Sequence, residues 1–186
     1  MTLLLYRYEE AAVTMTTRDS NMLFLFLFLF LFGLALGAES PSSDRPLELQ
    51  QSTCPPLWYK FKGRCYKYVS THKTWADAEL YCVSQNANLV SVHSQQEQDF
   101  VKFLIKNFDH AEGFTWMGLS DAHKEGGWMW SDGCPVGFVF WHAGQPDNYN
   151  GHENCAEFNW GQRLKWNEVP CFFTRPSVCA TRTVCP

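Results

Sequence analysis

Two stretches of the chain carry apolar residues at helical spacing, and each begins with a capping signal. Thr74 stands three residues before Asp77, and Ser94 stands three residues before Glu97. A hydroxyl followed three residues later by an acid is typical of a helix N-terminus. The spacing therefore predicts two helices. Their inward-facing positions are Trp75, Ala78 and Cys82 in the first and Phe100, Val101, Leu104 and Ile105 in the second.

Shorter apolar stretches on either side of these helices predict strands. Residues 57–61 alternate apolar and polar positions before Lys62 and Gly63, which predicts a hairpin. Four further segments are predicted as core or closing strands: 114–119, 128–130, 164–166 and 177–179. Residues 132–154 are rich in glycine and proline, so a long loop is predicted there. A loop of that length inside a compact domain is typically functional.

An unbroken apolar run, residues 22–38, precedes all of these elements and ends in small residues. It predicts a secretory signal over 1–38 with an over-long start, and Met15 and Met22 are alternative first residues. The polar stretch 39–53 is then a flexible mature N-terminus. The alternative is an uncleaved anchor, but 17 residues are fewer than the roughly 20 that span a bilayer. Cleavage implies a secreted, extracellular protein without membrane insertion.

Charge, cysteine content and the lack of enzyme motifs limit the functions that this chain is expected to have. The 186 residues carry a formal net charge of −4 and no basic stripe, which argues against a nucleic-acid partner. All eight cysteines lie after residue 53, and no Cys-x-x-Cys pair occurs among them. An even number in a secreted domain predicts a disulfide framework rather than a zinc site. We find no sequence motif of an enzyme, so catalysis is not expected.

Five residues near the C-terminus carry side-chain oxygens within a cysteine-bounded stretch. They are Gln145, Asp147, Glu153, Asn167 and Glu168. Three carboxylates and two amide carbonyls suit a hard cation, and Ca²⁺ takes about six to eight oxygen ligands. A protein that supplies only part of that shell leaves positions for the hydroxyls of a ligand. The set therefore predicts a calcium-dependent binding site.

About 130 residues of this chain resemble the C-type lectin domain, with segments 54–58, 74–78, 116–119, 128–133 and 177–179 in the family's order. The site motif is similar to that of the galactose-type branch, which includes secreted fish and snake-venom lectins. Its residues are Gln145-Pro146-Asp147, Glu153, Cys155, Trp166-Asn167 and Cys171. The resemblance implies an α+β C-type lectin fold over 54–186. Such a fold has two helices, small antiparallel sheets and a long calcium-binding loop, stapled by disulfides.

The resemblance also implies how the cysteines pair. The expected bridges are Cys54–Cys65, Cys82–Cys179 and Cys155–Cys171. Cys134 and Cys185 are left over. Cys134 stands where related dimeric venom lectins have their interchain cysteine, so a disulfide-linked homodimer through Cys134 is our hypothesis. A Cys134–Cys185 bridge within the chain is the alternative.

In the family, two neighbouring sugar hydroxyls bind calcium and hydrogen-bond to the ligand side chains. The carbohydrate-binding residues implied here are Gln145, Asp147, Tyr149, Glu153 and Asn167. A carboxylate only accepts hydrogen bonds, whereas an amide also donates them, so the order of amide and acid sets the polarity. Amide before acid goes with galactose in this family. A cis Pro146 is expected between them, and Tyr149 is expected to stack on galactose; an exposed loop aromatic is the alternative for Tyr149.

Two features depart from the family pattern. Glu168 stands where the family usually has Asp, which affects the expected affinity more than the identity of the site. A second calcium site is partly matched by Asp121 and Glu125, but Asn148 and Asn154 occupy positions where acids are expected. With fewer charges, that second site is predicted to be weak or empty.

The leading hypothesis is therefore a secreted, calcium-dependent lectin that binds galactose-containing glycans and agglutinates cells. One alternative is a calcium-dependent ice-binding protein of the same fold, although those relatives typically carry ten cysteines and this chain has eight. Another is a protein-binding receptor module, which an uncleaved anchor would favour.

Overall fold

Residues 54–182 and 184–185 are described by a computed structural model of the chain. The predicted signal over 1–38 and the tail over 39–53 lie outside the described residues. Within the described part, the helices are α1 (Trp75–Ser84) and α2 (Gln95–Phe108). The strands are β1 (Tyr59–Phe61), β2 (Arg64–Lys73), β3 (Ala87–Leu89), β4 (Thr115–Ser120), β5 (Met129–Trp130), β6 (Cys155–Trp160), β7 (Lys165–Val169) and β8 (Arg175–Thr181).

Both helices begin at the predicted caps. The Thr74 hydroxyl accepts a hydrogen bond from the backbone N–H of Asp77, and the Ser94 hydroxyl accepts one from that of Glu97, each at 3.3 Å. These bonds satisfy N–H groups that a helix leaves unpaired at its first turn. The predicted inward faces are confirmed, except that Trp75 is only half-buried. The fully or almost fully buried positions are Ala78, Cys82, Phe100, Val101, Leu104 and Ile105.

The strands join in one eight-stranded sheet within the described residues. Its main path runs β1-β2-β8-β4-β6-β7, with β3 added to β8 and β5 added to β4. All pairs are antiparallel except β4 with β8, where Trp116 lies opposite Ser177 in a parallel pair. The α+β fold class is confirmed, and this parallel pair connects the antiparallel sheets that the resemblance implies.

The core around β7 is aromatic. Trp166 is fully buried, and four rings surround it at 5.8–6.4 Å between centroids and 80–87° between planes. These rings belong to Trp130, Phe138, Trp141 and Phe158. The indole N–H of Trp166 donates a 2.8 Å hydrogen bond to the side-chain oxygen of Gln98 on α2. Edge-to-face packing and a satisfied polar group fix the position of β7 against the core.

Three strands differ from the predicted segments, and one of them is β6 (Cys155–Trp160), which none of those segments covers. Residues 128–130 are predicted as a core strand, but only Met129 and Trp130 pair with β4, and Met129 is half-exposed. The segment 87–89 is not predicted, yet it forms β3 by pairing with β8. Three residues are too few for a periodicity to identify a strand, so this pairing depends on the tertiary arrangement.

Disulfides join all eight cysteines. The structure contains Cys54–Cys65, Cys82–Cys179 and Cys155–Cys171, the pairs that the resemblance implies. The fourth bridge is Cys134–Cys185, with 5.3 Å between the Cα atoms. The expected interchain link through Cys134 is therefore wrong for this structure. The Cys134 sulfur already has a partner, and the residue is only 5% exposed.

Within the described residues, neither helix is both long enough and apolar enough to cross a bilayer.

The fourth bridge predicts a specific peptide map. Under non-reducing conditions, digestion of the secreted protein should give a Cys134–Cys185 linked peptide, and the protein should migrate at monomer mass. The Cys134→Ser variant should then carry one reactive thiol, at Cys185. A disulfide-linked dimer band that vanishes in Cys134→Ser would contradict the intrachain pairing.

Candidate functional site

The five predicted oxygen-bearing residues come from the long loop and from β7. Gln145, Asp147 and Glu153 lie in the segment between β5 and β6, while Asn167 and Glu168 lie on β7. Antiparallel pairing of β6 with β7 places Cys155 opposite Val169. The Cys155–Cys171 bridge closes the same end of this pair. Strand register and disulfide together bring the loop end that carries Glu153 to the strand end that carries Glu168.

Three of the five side chains converge directly. Asp147, Glu153 and Glu168 each have a carboxylate oxygen within 4.8 Å of the other two. Calcium binds oxygen at about 2.3–2.6 Å, so two of its ligands lie at most about 5 Å apart. The spacing of these carboxylates therefore fits one shared calcium ion.

Hydrogen bonds fix the two amide side chains beside these carboxylates. The side-chain nitrogen of Gln145 donates to Asp147 Oδ1 at 3.0 Å, and the side-chain nitrogen of Asn167 donates to the backbone oxygen of Glu168 at 2.9 Å. Each amide uses its nitrogen in this way and leaves its carbonyl oxygen for another partner. The Gln145–Pro146 peptide bond between the first pair is cis, as predicted.

Three oxygens of this set are buried without a hydrogen-bond donor among the described residues. They are Gln145 Oε1, Asn167 Oδ1 and Glu168 Oε2. Buried polar atoms are almost always paired, so each unpaired acceptor needs an explanation. All three are acceptors that can bind a cation, and all three belong to the predicted ligand set. The predicted ligand set thus fits a hard cation in the chemistry of its oxygens as well as in their spacing.

The pKa values of two of these carboxylates are raised, as expected for acids that are partly buried and close together. Burial raises the pKa of Glu168 to about 7, and the nearby charges of Asp121 and Glu153 add to the increase. A backbone N–H of Asn148 donates to Glu168 Oε1 and partly offsets it. Burial also raises the pKa of Glu153, with a further contribution from Asp147. A cation that binds here must displace these protons or find the groups ionised.

Tyr149 lies at the start of a short 3-10 turn, Tyr149–Gly151, in this loop. Its side chain is 66% exposed, and its backbone N–H donates to Glu153 Oε2 at 3.2 Å. The ring is therefore available to a ligand, and its backbone is tied to one of the three carboxylates. Both alternatives for Tyr149, stacking on a sugar or remaining a solvent-exposed aromatic, are compatible with this position.

Asn148 has a part in the site that the sequence did not predict. Besides its backbone bond to Glu168, its side-chain oxygen accepts from the backbone N–H of Glu153 at 3.2 Å. Its side-chain nitrogen donates to Glu125. Asn148 has a φ of 43°, in the left-handed region that asparagine tolerates better than most residues. This conformational preference of asparagine is the one sequence feature that points to the role of Asn148, because its contacts form only in the folded loop.

A second group of potential ligands does not form a metal site of the usual kind. His93, Asp132 and Cys134 each have an atom within 4.8 Å of the others. The sulfur of Cys134 is bound to Cys185, so it cannot act as a thiolate ligand. His93 instead packs edge-on against Trp130, and its Nε2 lies 3.0 Å from the Ser91 hydroxyl.

Comparison with known proteins gives consistent matches over this region. The profile of the Lectin C-type domain matches residues 71–181. The chain is 39% identical over 142 residues to the lactose-binding lectin l-2 of Anguilla japonica, covering 74% of this chain and 84% of the relative. It is 38% identical over 129 residues to the galactose-specific lectin nattectin of Thalassophryne nattereri, covering 69% and 80% respectively.

A solved structure shares the fold as well. The herring type II antifreeze protein superposes with a TM-score of 0.65 at 34% identity, covering 70% of this chain and all of that protein. The family is one of carbohydrate-binding domains rather than of enzymes. From the match over 71–181, the identity to curated relatives and the shared fold, we conclude that this chain belongs to the C-type lectin domain family.

Proposed function

We propose that this protein is a secreted, calcium-dependent lectin that recognises galactose-containing glycans. The observation that carries the proposal is the convergence of the predicted ligand set. Three carboxylates lie within 4.8 Å of one another, and three oxygens of the set, one of them on Glu168, are buried without a donor among the described residues. The residues that would hold Ca²⁺ are Gln145, Asp147, Glu153, Asn167 and Glu168.

Calcium would contribute positive charge and open coordination positions for two neighbouring sugar hydroxyls. The protein side chains then decide which sugar fits. Asp147 and Glu153 only accept hydrogen bonds, while the amides of Gln145 and Asn167 also donate. A hydroxyl beside Gln145 therefore meets a donor where one beside Asp147 meets an acceptor. This order of amide and acid is the basis of the galactose-type assignment.

Tyr149 completes the proposed recognition surface. The residue is 66% exposed, and its backbone N–H donates to Glu153, one of the proposed ligands. Contact between an aromatic face and an apolar sugar surface is stabilised by dispersion and by the removal of water from both surfaces. Galactose has such a face. We therefore propose that Tyr149 stacks on the sugar and adds to the selection by Gln145 and Asp147.

The names of two relatives support galactose-containing glycans as the proposed ligand. One is a lactose-binding lectin and the other a galactose-specific lectin, both from fish. The same proposal includes the predicted organisation: a signal over 1–38, a tail over 39–53 and the binding domain over 54–186. Agglutination through a Cys134-linked dimer is not part of it, because Cys134 is bridged within the chain.

Ice binding is a second candidate, favoured by the likeness to the herring antifreeze protein. Ice binding requires a different kind of binding surface, because an ice surface is extended whereas a sugar is small. Thermal hysteresis of the purified protein with calcium and with chelator tests this candidate. Hysteresis without retention on galactose would replace the lectin proposal.

The first prediction from the proposed function concerns retention on immobilised sugar. Frontal affinity chromatography on immobilised galactose should retard the mature protein in calcium, and the chelator EGTA should abolish the retardation. Free galactose should compete, and mannose should not. Retardation that is unchanged by EGTA, or competition by mannose alone, would contradict the proposal.

The second prediction concerns the order of amide and acid. The double variant Gln145→Glu with Asp147→Asn leaves the net charge and the number of oxygens unchanged, so calcium binding should persist. It reverses donor and acceptor, so mannose should become the better competitor. If the variant still binds calcium and still prefers galactose, selection depends on Tyr149 or other residues.

The third prediction is a pH dependence of calcium affinity. Because the calcium-free pKa of Glu168 is raised to about 7, ionising this carboxylate costs stability as the pH rises through 7, and bound calcium offsets that cost. Below pH 7, calcium must instead displace a proton. One such proton predicts about tenfold weaker calcium binding at pH 6 than at pH 8.

Titration calorimetry at the two pH values measures this difference. Glu168→Gln is the matched control, because it keeps an oxygen and cannot ionise. Its weaker calcium binding should depend less on pH. Equal affinities at pH 6 and pH 8 for the wild type would mean that Glu168 is already ionised at pH 6.

A further inference from the structure

A second pair of acids lies next to the candidate calcium site, and side-chain amides face both of them. Asp121 Oδ1 accepts from the side-chain nitrogen of Asn154 at 3.1 Å, and Glu125 accepts from the side-chain nitrogen of Asn148. The other Asp121 oxygen accepts from the backbone N–H of Gly126 at 2.7 Å. Asp121 is almost fully buried, so these donors supply the hydrogen bonds that water would otherwise give.

These contacts join two loops. Residues 121–126 follow β4, and residues 148–154 precede β6. Besides its side-chain bond, Asn154 accepts on its backbone oxygen from the N–H of Asp121 at 3.1 Å and from the Ser120 hydroxyl at 2.7 Å. The 121–126 loop is therefore fastened to the residue that follows Glu153, one of the proposed calcium ligands.

Asn148 connects the same loop to two of the proposed ligand residues, the buried Glu168 and the half-buried Glu153. Its backbone N–H donates to Glu168 Oε1, its side-chain oxygen accepts from the Glu153 N–H, and its side-chain nitrogen donates to Glu125. One residue thus sets the position of two proposed ligands relative to the 121–126 loop. We call the contacts of Asn148 and Asn154 with Glu125 and Asp121 the amide brace.

A neutral amide and a cation are alternative partners for a carboxylate pair. A cation between Asp121 and Glu125 would require lone pairs from the surrounding side chains, but Asn148 and Asn154 direct N–H groups at these acids. A donor aimed at the acid takes the place that a cation would need. The Asn148 carbonyl oxygen is also engaged, by Glu153.

We propose that Asn148 and Asn154 are positioning residues, and that their amide brace assembles the binding loop around one calcium ion per chain instead of two. This inference rests on the proposed calcium site at Asp147, Glu153 and Glu168. The amide brace joins the two loops whether or not calcium is present. Calcium is therefore needed at one site only, where it serves sugar binding.

Calcium stoichiometry of the purified mature protein is the first measurement, by native mass spectrometry and titration calorimetry. One ion per chain supports the inference. Two ions per chain overturn the inference and leave the proposed function intact. No bound ion overturns the proposed function itself, and the inference falls with it, so the two failures are distinguishable.

The second measurement compares two glycine variants in the same loop. Asn148→Gly keeps a residue suited to a positive φ and removes the side-chain hydrogen bonds with Glu125 and with the Glu153 N–H. Asn150→Gly is the matched control, because Asn150 also has a positive φ, of 58°, and is exposed. Loss of the hydrogen bonds with the Glu125 carboxylate and with the Glu153 backbone N–H should weaken calcium binding by about tenfold or more in the first variant. Calcium binding by the second variant should be unchanged.

Both variants are titrated at a temperature where thermal unfolding shows them folded in EGTA. Equal calcium affinities for Asn148→Gly and the wild type would overturn the positioning role. A variant that does not fold in EGTA is titrated at lower temperature, and the wild-type stoichiometry decides the number of ions independently.

Discussion

Mutual repulsion of carboxylates is the constraint on which this binding loop depends. Asp147, Glu153 and Glu168 hold oxygens within 4.8 Å of one another, and burial raises the pKa of Glu168 and Glu153. Like charges this close destabilise a calcium-free loop, and the cost is larger where water is excluded. The arrangement persists only if the scaffold is rigid enough to impose it, and a cation converts the same repulsion into binding energy.

The scaffold supplies that rigidity from several sources that share one end of the sheet. Pairing of β6 with β7 and the Cys155–Cys171 bridge bring two distant parts of the chain together. Edge-to-face packing around Trp166 fixes β7 against the core, and the hydrogen bonds of Asn148 fix the loop to Glu153 and Glu168. The proposed ligands are thus held by strand, disulfide, core and loop contacts, which together make a loop site rigid.

Features with a local cause could be predicted from the sequence. The caps at Thr74 and Ser94 and the hairpin at Lys62-Gly63 depend on neighbouring residues alone. The cis Pro146 was expected from the resemblance to the family instead. The ligand set followed from residue chemistry and family spacing. The Cys134–Cys185 bridge spans 51 residues, and nothing near either cysteine indicates the other. The brace by Asn148 is equally non-local, because it exists only once two loops meet.

A crystal structure of the protein grown with calcium and galactose tests the central claim most directly. The account predicts one ion at about 2.3–2.6 Å from side-chain oxygens of Gln145, Asp147, Glu153, Asn167 and Glu168, with two galactose hydroxyls completing its shell. An ion held instead by Asp121 and Glu125, or galactose bound away from this ligand set, would contradict it.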